Sequence, residues 1–341
     1  MREADLLNHI FSLAGGINAA SGDVLVGPGD DCAVVRTPSG DVLLLTVDQV
    51  VEGRHFEPGT PVDLIARKAI ARSLSDIAAM GGTPAWALAS AVLPEGYSHG
   101  RELADSLHAW GRHWECPIVG GDIAAGPAPL TIGVSVVGRM DRRAGESDGL
   151  GETGEAAGKC RWKAAQGVSS TDRDGVARGP APVLRSGARA GDELWLTGRV
   201  GGSVESGWHL RFEPRLEAGR AAAWSGVVHA MIDLSDGLGR DAARVGVASG
   251  VRLEIDATRL PISRRARDWR QAAGEGEDYE LLMAIAPRDA GGVPLPTLQP
   301  PLLGPIGTVR ACAVGERPGA TIVDPHGTAH DAQSLGWDHG S

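Results

Sequence analysis

Apolar runs in the first part of the chain alternate with amphipathic segments, a pattern that predicts mixed strands and helices. The segments 42–47, 84–93 and 130–138 are short, apolar and bounded by turn residues, and we interpret each as a buried strand. Between them, the segments 62–80 and 101–114 carry apolar residues at helical spacing along one face. This part of the chain therefore predicts a mixed α/β domain.

The same pattern returns in the second half after a polar interval. A short strand is predicted at 194–197, a helix at 235–247, and strands near 251–255 and 279–285. No tandem repeat of the solenoid kind is present. The sequence therefore predicts an α+β protein with two mixed α/β domains.

The interval between the halves is rich in Gly, Ser and charged residues and has almost no apolar periodicity. This composition is typical of a disordered or loosely ordered segment, and it marks a domain boundary. The predicted units are an N-terminal domain at 1–140, a low-complexity insert or linker at 141–183, and a C-terminal domain at 184–341.

Charge and cysteine content narrow the class of protein. The formal net charge of −10 argues against a nucleic-acid binder, which needs a basic surface. No apolar run approaches a membrane span, and the N-terminus has no apolar signal core. We therefore expect a soluble, cytoplasmic protein without membrane or nucleic-acid partners. Neither a CxxC pair nor zinc spacing occurs, so reduced thiols are expected at Cys32, Cys116, Cys160 and Cys312.

Aspartates recur in glycine- or serine-rich turns beside apolar runs. Mg²⁺ takes oxygen ligands from a few carboxylates, from phosphates and from water, so several such turns converging on one cleft would suit a polyphosphate with its metal ions. Each turn alone is more often structural, because these pairs are ordinary turn and cap residues. The turns are 27–31 (GPGDD), 46–48 (TVD), 75–76 (SD), 120–122 (GGD) and 233–237 (DLSDG).

Two of these turns have local alternatives that the sequence leaves open. Ser235 or Asp236 could cap the helix that follows, or the N-terminus of that helix could bind a phosphate. Lys68, Arg72 and Asp76 are spaced to share one helix face, which indicates either a phosphate-and-metal surface or a solvated charged face.

Three other features carry candidate chemistry. The acidic turn 276–280 (GEDYE) precedes an apolar run and faces either a cleft or solvent. His55 lies beside a glycine and an arginine and is a candidate functional residue, although a lone histidine is more often an ordinary surface or hydrogen-bonded residue. Trp337 lies near the C-terminus and is either part of a tail or a stacking lid over an aromatic ligand.

Neither a Walker motif nor a protein-kinase glycine loop with its catalytic-loop element is present, so phosphoryl transfer would need another scaffold. Taken together and in order, eight segments resemble the thiamine-monophosphate kinase family, within the wider aminoimidazole ribonucleotide synthetase superfamily. The segments are GPGDDCAVV, LLLTVDQVVEGRHF, ARKAIARSLSDIAAMGGTPAWALASAVLP, VGGDIAAG, RSGARAGDELWLTG, IDLSDGLGRDAARV, GEDYELLMAI and GWDH.

The resemblance implies two α+β domains, a homodimer, and Mg²⁺-dependent phosphorylation of thiamine monophosphate by ATP. Because a phosphate acceptor has its second pKa near 6 and is largely ionised at neutral pH, we expect direct in-line transfer without a protein general base, assisted by several magnesium ions through Asp31, Asp122 and Asp233. The magnesium positions implied are Asp31, Thr46, Asp48, Asp76, Asp122, Asp233 and Asp236. The nucleotide positions implied are Gly121, Asp122, Arg185 and Ser235. The substrate positions implied are His55, Glu277 and Trp337, the last stacking on the thiamine ring.

Two alternatives remain. One is another ATP-dependent member of the superfamily, of the selenophosphate or aminoimidazole ribonucleotide synthetase kind, and the other is a nucleotide-binding regulator without turnover. Two departures from the family pattern bear on activity. The segment 141–183 is longer than the family's connection, and the chain between Gly202 and Arg215 is shorter, so that a helix of the second domain is expected to be missing.

Overall fold

The computed structural model describes residues 6, 9, 10, 22–141, 180–287 and 301–336. Its first half folds into a six-stranded sheet in the order β1-β2-β3-β6-β4-β5. Two helices belong to this half, α1 (Val62–Ala79) and α2 (Gly100–His113). The strands are β1 (Val24–Val26), β2 (Ala33–Arg36), β3 (Val42–Val51), β4 (Thr83–Pro94), β5 (Ile118–Gly126) and β6 (Thr131–Arg139).

The central strands are covered on one face only. Along β3 and β4, side chains alternate between the core and the surface, as the period of two in a strand requires. Leu44 is fully buried beneath α1, whereas its neighbour Leu45 and the equivalent Trp86 and Leu88 of β4 are exposed. The prediction that both strands are buried is therefore wrong for one face, because no described element packs against it.

The second half forms a seven-stranded sheet in the order β13-β12-β9-β11-β7-β10-β8. Its helices are α3 (Leu216–Ser225), α4 (Leu238–Ser249) and α5 (Trp269–Gly274). Its strands are β7 (Glu193–Leu196), β8 (Val228–Asp233), β9 (Val251–Asp256), β10 (Leu281–Ile285), β11 (Leu303–Ala311), β12 (Gly319–Val323) and β13 (Ala329–Asp331).

Helix α1 joins the two halves. Its C-terminal end packs Ala78 and Ala79 against Trp195 and Met231 of the second sheet. A side chain at Gly219 of α3 would place its Cβ 1.9 Å from the carbonyl oxygen of Ala78, so only glycine permits this close approach. The helix that carries Asp76 is therefore packed against both sheets.

The α+β class with two mixed α/β units is confirmed, and the predicted helices and strands occur within a few residues of their expected bounds. Between Gly202 and Arg215 the chain forms only a short 3-10 helix, Trp208–Leu210, consistent with the shortening expected there. Ordered packing of the second half starts before residue 184, since Val183 is buried and its amide donates to the carbonyl of Met80. Within the described residues, no helix is long and apolar enough to cross a membrane.

Candidate active site

Three aspartates from three separate elements meet where the two halves join. Asp31 lies in the turn before β2, Asp76 near the end of α1, and Asp233 at the last position of β8. One carboxylate oxygen from each lies within 4.8 Å of the corresponding oxygens of the other two. These residues lie in separate segments of the sequence, and the fold brings them to one point, which we call the acid cluster.

Hydroxyl groups hold two of the three carboxylates. Thr46 of β3 donates to Asp76, and the buried Ser75 donates to Oδ2 of Asp233 over 2.7 Å. The buried Oδ2 of Asp31 accepts no hydrogen bond from any described residue. A buried carboxylate oxygen without a partner is costly, so this oxygen is suited to a cation.

Burial and mutual repulsion raise the pKa of both Asp76 and Asp233 well above the usual carboxyl range. For Asp76 the repelling neighbours are Asp48, Asp233 and Asp31. Carboxylates packed this closely cannot all be charged without a compensating cation. The donor set of carboxylate and hydroxyl oxygens, with one oxygen unpartnered, fits a hard divalent ion such as Mg²⁺.

Arg185 borders the cluster on the side of the first turn. Its backbone amide donates to both oxygens of Asp30, at 3.2 and 3.1 Å, and its guanidinium donates to Asp31. Burial and the adjacent Asp31 raise the pKa of Asp30 to about 6. This arginine therefore supplies a positive charge beside the acid cluster.

Two further predicted magnesium positions are engaged by arginines. The guanidinium of Arg72 donates to Asp48 over 3.3 Å, and that of Arg244 donates to Asp236. Arg244 also donates to Asp241, whose carboxylate accepts the backbone amide of Asp236. These carboxylates lie near the cluster but are not among its three members.

A second group, the lysine cradle, is formed by Lys68, His55, His209 and Glu277. The fully buried ammonium of Lys68 donates to the carbonyl oxygen of His55 over 2.6 Å, to Nδ1 of His209 over 2.7 Å, and to the carboxylate of Glu277. The last two partners come from the second half of the chain, so the lysine cradle connects the two halves.

Burial lowers the pKa of Lys68 to about 8, against the attraction of Glu277. Burial by itself would raise the pKa of Glu277, but the Lys68 ammonium and the contact with His209 hold it well below its usual range. Desolvation thus dominates for the fully buried lysine, while attraction dominates for the carboxylate, which retains some exposure. At neutral pH both groups are charged.

The line of Lys68, Arg72 and Asp76 on α1 is not a solvated charged face. Lys68 is buried, Arg72 has only 11% of its side chain exposed, and Asp76 belongs to the acid cluster. Of the two open interpretations, the solvated one is wrong. The face points into the junction because the apolar stripe beside it packs under the first sheet.

The acidic turn 276–280 is likewise inside the protein, so the interpretation as a solvated turn is wrong. Asp278 accepts from the amide of Gly201 and from Ser203, and Glu280 accepts from Thr197 and Arg215. Glu277 and Tyr279 have positive φ angles of 58° and 51°, a strained conformation for non-glycine residues. Such strain is typical of functional sites.

Other predicted positions lie apart from the cluster or outside the described residues. Asp122 is exposed on β5, opposite Ser90 of β4, and is not a member of the acid cluster. A Cβ at Gly121 would lie 1.8 Å from the carbonyl oxygen of Ala89, which requires glycine there. Trp337 lies outside the described residues.

The helix-cap alternative for the acidic turn 233–237 is also resolved. Helix α4 begins at Leu238 with Gly237 as its N-cap, and no side chain caps it. Ser235 instead accepts the amide of Glu277 at its own carbonyl oxygen, over 2.8 Å. The interpretation of Ser235 or Asp236 as a cap is therefore wrong, and the turn packs against the acidic segment 276–280.

Two residues of the site escaped the sequence analysis. In the sequence Ser75 is only the neighbour of an aspartate, yet in the fold its hydroxyl donates to Asp233. His209 lies in a segment without periodicity, and nothing local distinguishes it from a surface histidine. The only signal for it is tertiary, since its partners Lys68 and Glu277 are 141 and 68 positions away.

The chain is similar in sequence to one family model over part of its first half and to curated enzymes over most of its length. Residues 29–140 match the model of the family described as AIR synthase related protein, N-terminal domain. The thiamine-monophosphate kinase of Rhodopirellula baltica is 32% identical over 288 residues, covering 78% of each chain. The thiamine-monophosphate kinase of Salmonella typhimurium is 34% identical over 286 residues, covering 80% of this chain and 79% of the relative.

A solved structure described as AaThiL complexed with AMPPCP and TMP has the same fold. It is 26% identical in sequence, with a TM-score of 0.72, and the match covers 99% of this chain and 97% of that one. The likeness extends over both halves of the chain, including the junction at which the acid cluster and the lysine cradle lie.

Proposed function

The chain belongs to the thiamine-monophosphate kinase family, and from this premise we propose that it phosphorylates thiamine monophosphate with ATP, giving thiamine diphosphate and ADP. The observation that carries the proposal is the acid cluster itself. Three carboxylates from separate elements converge, one with an unpartnered buried oxygen, and Lys68 of the lysine cradle lies on the same helix as Asp76. Phosphoryl transfer depends on metal ions and charged groups that position the phosphates and neutralise their charge, which supports the proposal.

We propose that Asp31, Asp76 and Asp233, with Thr46, hold Mg²⁺. The remaining metal-binding residues are Asp48, Asp122 and Asp236, which would act as ligands once ATP and the acceptor are bound. Bound Mg²⁺ neutralises phosphate charge and aligns the reacting oxygens. Asp48 and Asp236 would have to leave their arginines to serve as ligands. Those arginines then become available for phosphate oxygens, since guanidinium groups match phosphate geometry.

On the nucleotide side, Arg185 and Ser235 flank the cluster, and we propose that they contact ATP together with Gly121 and Asp122. Arg185 would release Asp31 and donate to a phosphate oxygen once a bound cation neutralises the Asp31 carboxylate. Gly121 lies in the exposed part of β5, with its missing side chain on the side occupied by the Ala89 backbone of β4.

On the acceptor side, we propose that His55, Glu277 and Trp337 position thiamine monophosphate. Nδ1 of His55 accepts the backbone amide of Val51 over 3.0 Å, so the ring is fixed by the turn and carries its proton on Nε2 when neutral. Glu277 is fixed by Lys68. Fixed groups of this kind orient a substrate at little entropic cost.

The transfer is direct and in line. An oxygen of the acceptor phosphate forms a bond to the terminal phosphorus of ATP, and the bond from that phosphorus to the bridging oxygen breaks, releasing ADP. A phosphate monoester has its second pKa near 6 and is largely ionised at neutral pH, so no protein base has to remove a proton. The residues of the site contribute alignment and charge neutralisation.

The test is formation of thiamine diphosphate by the purified, folded full-length chain with ATP and excess Mg²⁺. We expect ADP release to require thiamine monophosphate and the diphosphate to accumulate with it. Controls omit the acceptor or replace it with thiamine. Nucleotide binding without diphosphate above the no-enzyme level would support a non-catalytic regulator instead.

We also propose that two copies pair through the uncovered face of the first sheet. Leu45 and Trp86 lie in one row across β3, β6 and β4, and Val47 and Leu88 lie in the next row on the same face. Val47 is 64% exposed and Leu88 50%. A contiguous apolar patch of this kind is typical of an interaction surface. Strand β3, which provides Leu45 and Val47 to this patch, also carries Thr46 and Asp48.

Sedimentation analysis of Leu88→Glu tests this pairing. We expect the wild type to be a dimer and the variant a monomer, because a charge in an apolar interface is costly. Val247→Glu, at a position 62% exposed on α4, is the matched control and should remain dimeric. Identical masses for the two variants would contradict pairing through this face.

A further inference from the structure

A cavity of about 540 Å³ opens in the second half, at the ends of β7 and β10, and shares no residue with the acid cluster or the lysine cradle. Its wall contains four arginines and a single carboxylate, which makes it the reverse of the acid cluster in charge. We call it the arginine cavity. Its charged lining residues are Arg199, Arg215, Arg264, Arg265 and Glu280.

One arginine and the carboxylate neutralise each other. Glu280, only 4% exposed, accepts from Nε of Arg215 over 2.6 Å and from its second guanidinium nitrogen. The hydroxyl of Thr197 donates to the same carboxylate over 2.7 Å. Because both carboxylate oxygens are already engaged, Glu280 is not available to balance the other three arginines.

Those three arginines leave a surplus of positive charge. Arg199 donates to the carbonyl oxygen of Ile262 over 3.2 Å, and Arg265 stacks 4.1 Å from the ring centre of Trp208. Within 22–141, 180–287 and 301–336, none of Arg199, Arg264 and Arg265 forms an ion pair. Three unpaired guanidinium groups around a concave surface focus a positive field on its interior.

We infer that the arginine cavity is a second anion site, distinct from the kinase site, which binds a phosphate group either free or carried on a small molecule. Guanidinium groups form paired hydrogen bonds with phosphate oxygens, and a cavity of this size admits a small ligand. The face of Trp208, already stacked with Arg265, provides an aromatic wall beside the charged groups. The site goes beyond the proposed kinase activity and does not depend on it.

The test uses the full chain and calorimetric titration with sodium phosphate and with phenyl phosphate at constant ionic strength. Arg264→Ala/Arg265→Ala removes two cavity charges, and Arg259→Ala/Arg270→Ala removes two charges outside the cavity as the matched control. We expect phosphate affinity to fall about tenfold or more in the cavity variant and to stay within about twofold of wild type in the control. Tighter binding of phenyl phosphate would identify the ligand as a phosphate ester, and equal binding would identify free phosphate.

Arg199→Gln is a second cavity variant for use if the double variant does not fold, and the same loss is expected. Kinase turnover should remain unchanged in all variants. Phosphate binding is measured by calorimetry and does not depend on turnover, so a failure of the kinase proposal would not affect this test. Equal phosphate affinity in the folded cavity and control variants would overturn the inference. Complete displacement of phosphate by thiamine monophosphate with AMPPCP would also overturn it, because the anion would then lie in the kinase site.

Discussion

The ammonium of Lys68 lies 2.7 Å from Nδ1 of His209, and the two residues are 141 positions apart in the chain. The same ammonium bonds the carbonyl oxygen of His55 and the carboxylate of Glu277. One side chain of α1 therefore links the turn that carries His55 in the first half to the acidic turn of the second. This link makes the stability of the junction depend on the charge of Lys68.

Lys68→Met should lower the free energy of unfolding by roughly 3–5 kcal/mol, because it leaves the Glu277 carboxylate buried without its cation. Urea denaturation measures the loss. The double variant Lys68→Met/Glu277→Gln is the control, and it should recover a large part of the stability, since the unpaired charge is removed as well. If the double variant were less stable than Lys68→Met, the unpaired Glu277 charge would not be the main cause of the loss of stability.

Asp233→Asn should reduce turnover by roughly a hundredfold or more while the fold is kept, because an amide weakens metal binding in the acid cluster. Asp122→Asn is expected to do the same if its position on β5 serves the nucleotide, as the family resemblance implies. Asp105→Asn, on the exposed side of α2, is the matched control. Turnover near that of wild type for Asp233→Asn at low Mg²⁺ would rule out the metal assignment.

His55→Asn should raise KM for thiamine monophosphate more than it lowers kcat at saturating substrate. The Asn carbonyl oxygen can still accept the amide of Val51, so the turn is preserved while the imidazole that we propose to contact the substrate is lost. Steady-state kinetics separate the two effects. A loss of about a thousandfold in kcat that added imidazole restores would show that His55 is a proton acceptor.

Asp278 should make stability fall as pH rises from about 4 to about 7. Burial raises the pKa of Asp278 to about 7, so the folded protein keeps a proton that the unfolded chain, with a pKa of 3.8, has released. The folded state binds more protons in this window, and its contribution to stability is lost as the pH rises through it. Compared with Asp278→Asn, the wild type should lose at least about 1 kcal/mol across the window in urea titrations. Parallel curves for the two proteins would contradict this assignment.

Replacing residues 142–179 with a short Gly/Ser linker should leave turnover and melting temperature nearly unchanged. The flanking residues are anchored close together, because Thr83 donates to Asp141 over 2.8 Å and Val183 donates to the carbonyl of Met80. Loop closure costs little for a change of this length. A variant that also removes Val183 should be less stable, since that side chain is buried. A linker variant that is folded but inactive would show that the replaced segment has a role in catalysis.

Local pattern was sufficient for the class of fold and for much of its secondary structure. The apolar stripe of α1, with Ile70, Leu74 and Ile77, is fully buried as its spacing predicts. The exposed face of β3 was not foreseen, because Leu45 and Val47 are as apolar as the buried residues of the strand. Hydrophobicity reports that a side chain avoids water, and it does not report whether the same chain or a second copy covers it.

The sequence by itself determined the candidate acids, since Asp31, Asp76 and Asp233 stand in turns and on a helix face that local chemistry singles out. Only the tertiary structure decided that these three form one cluster, that the acidic turn is buried, and that His209 completes the cradle of Lys68. The reason is physical. Propensity and periodicity act over a few residues, whereas electrostatic contacts and burial depend on distances in space between segments that are far apart in the chain.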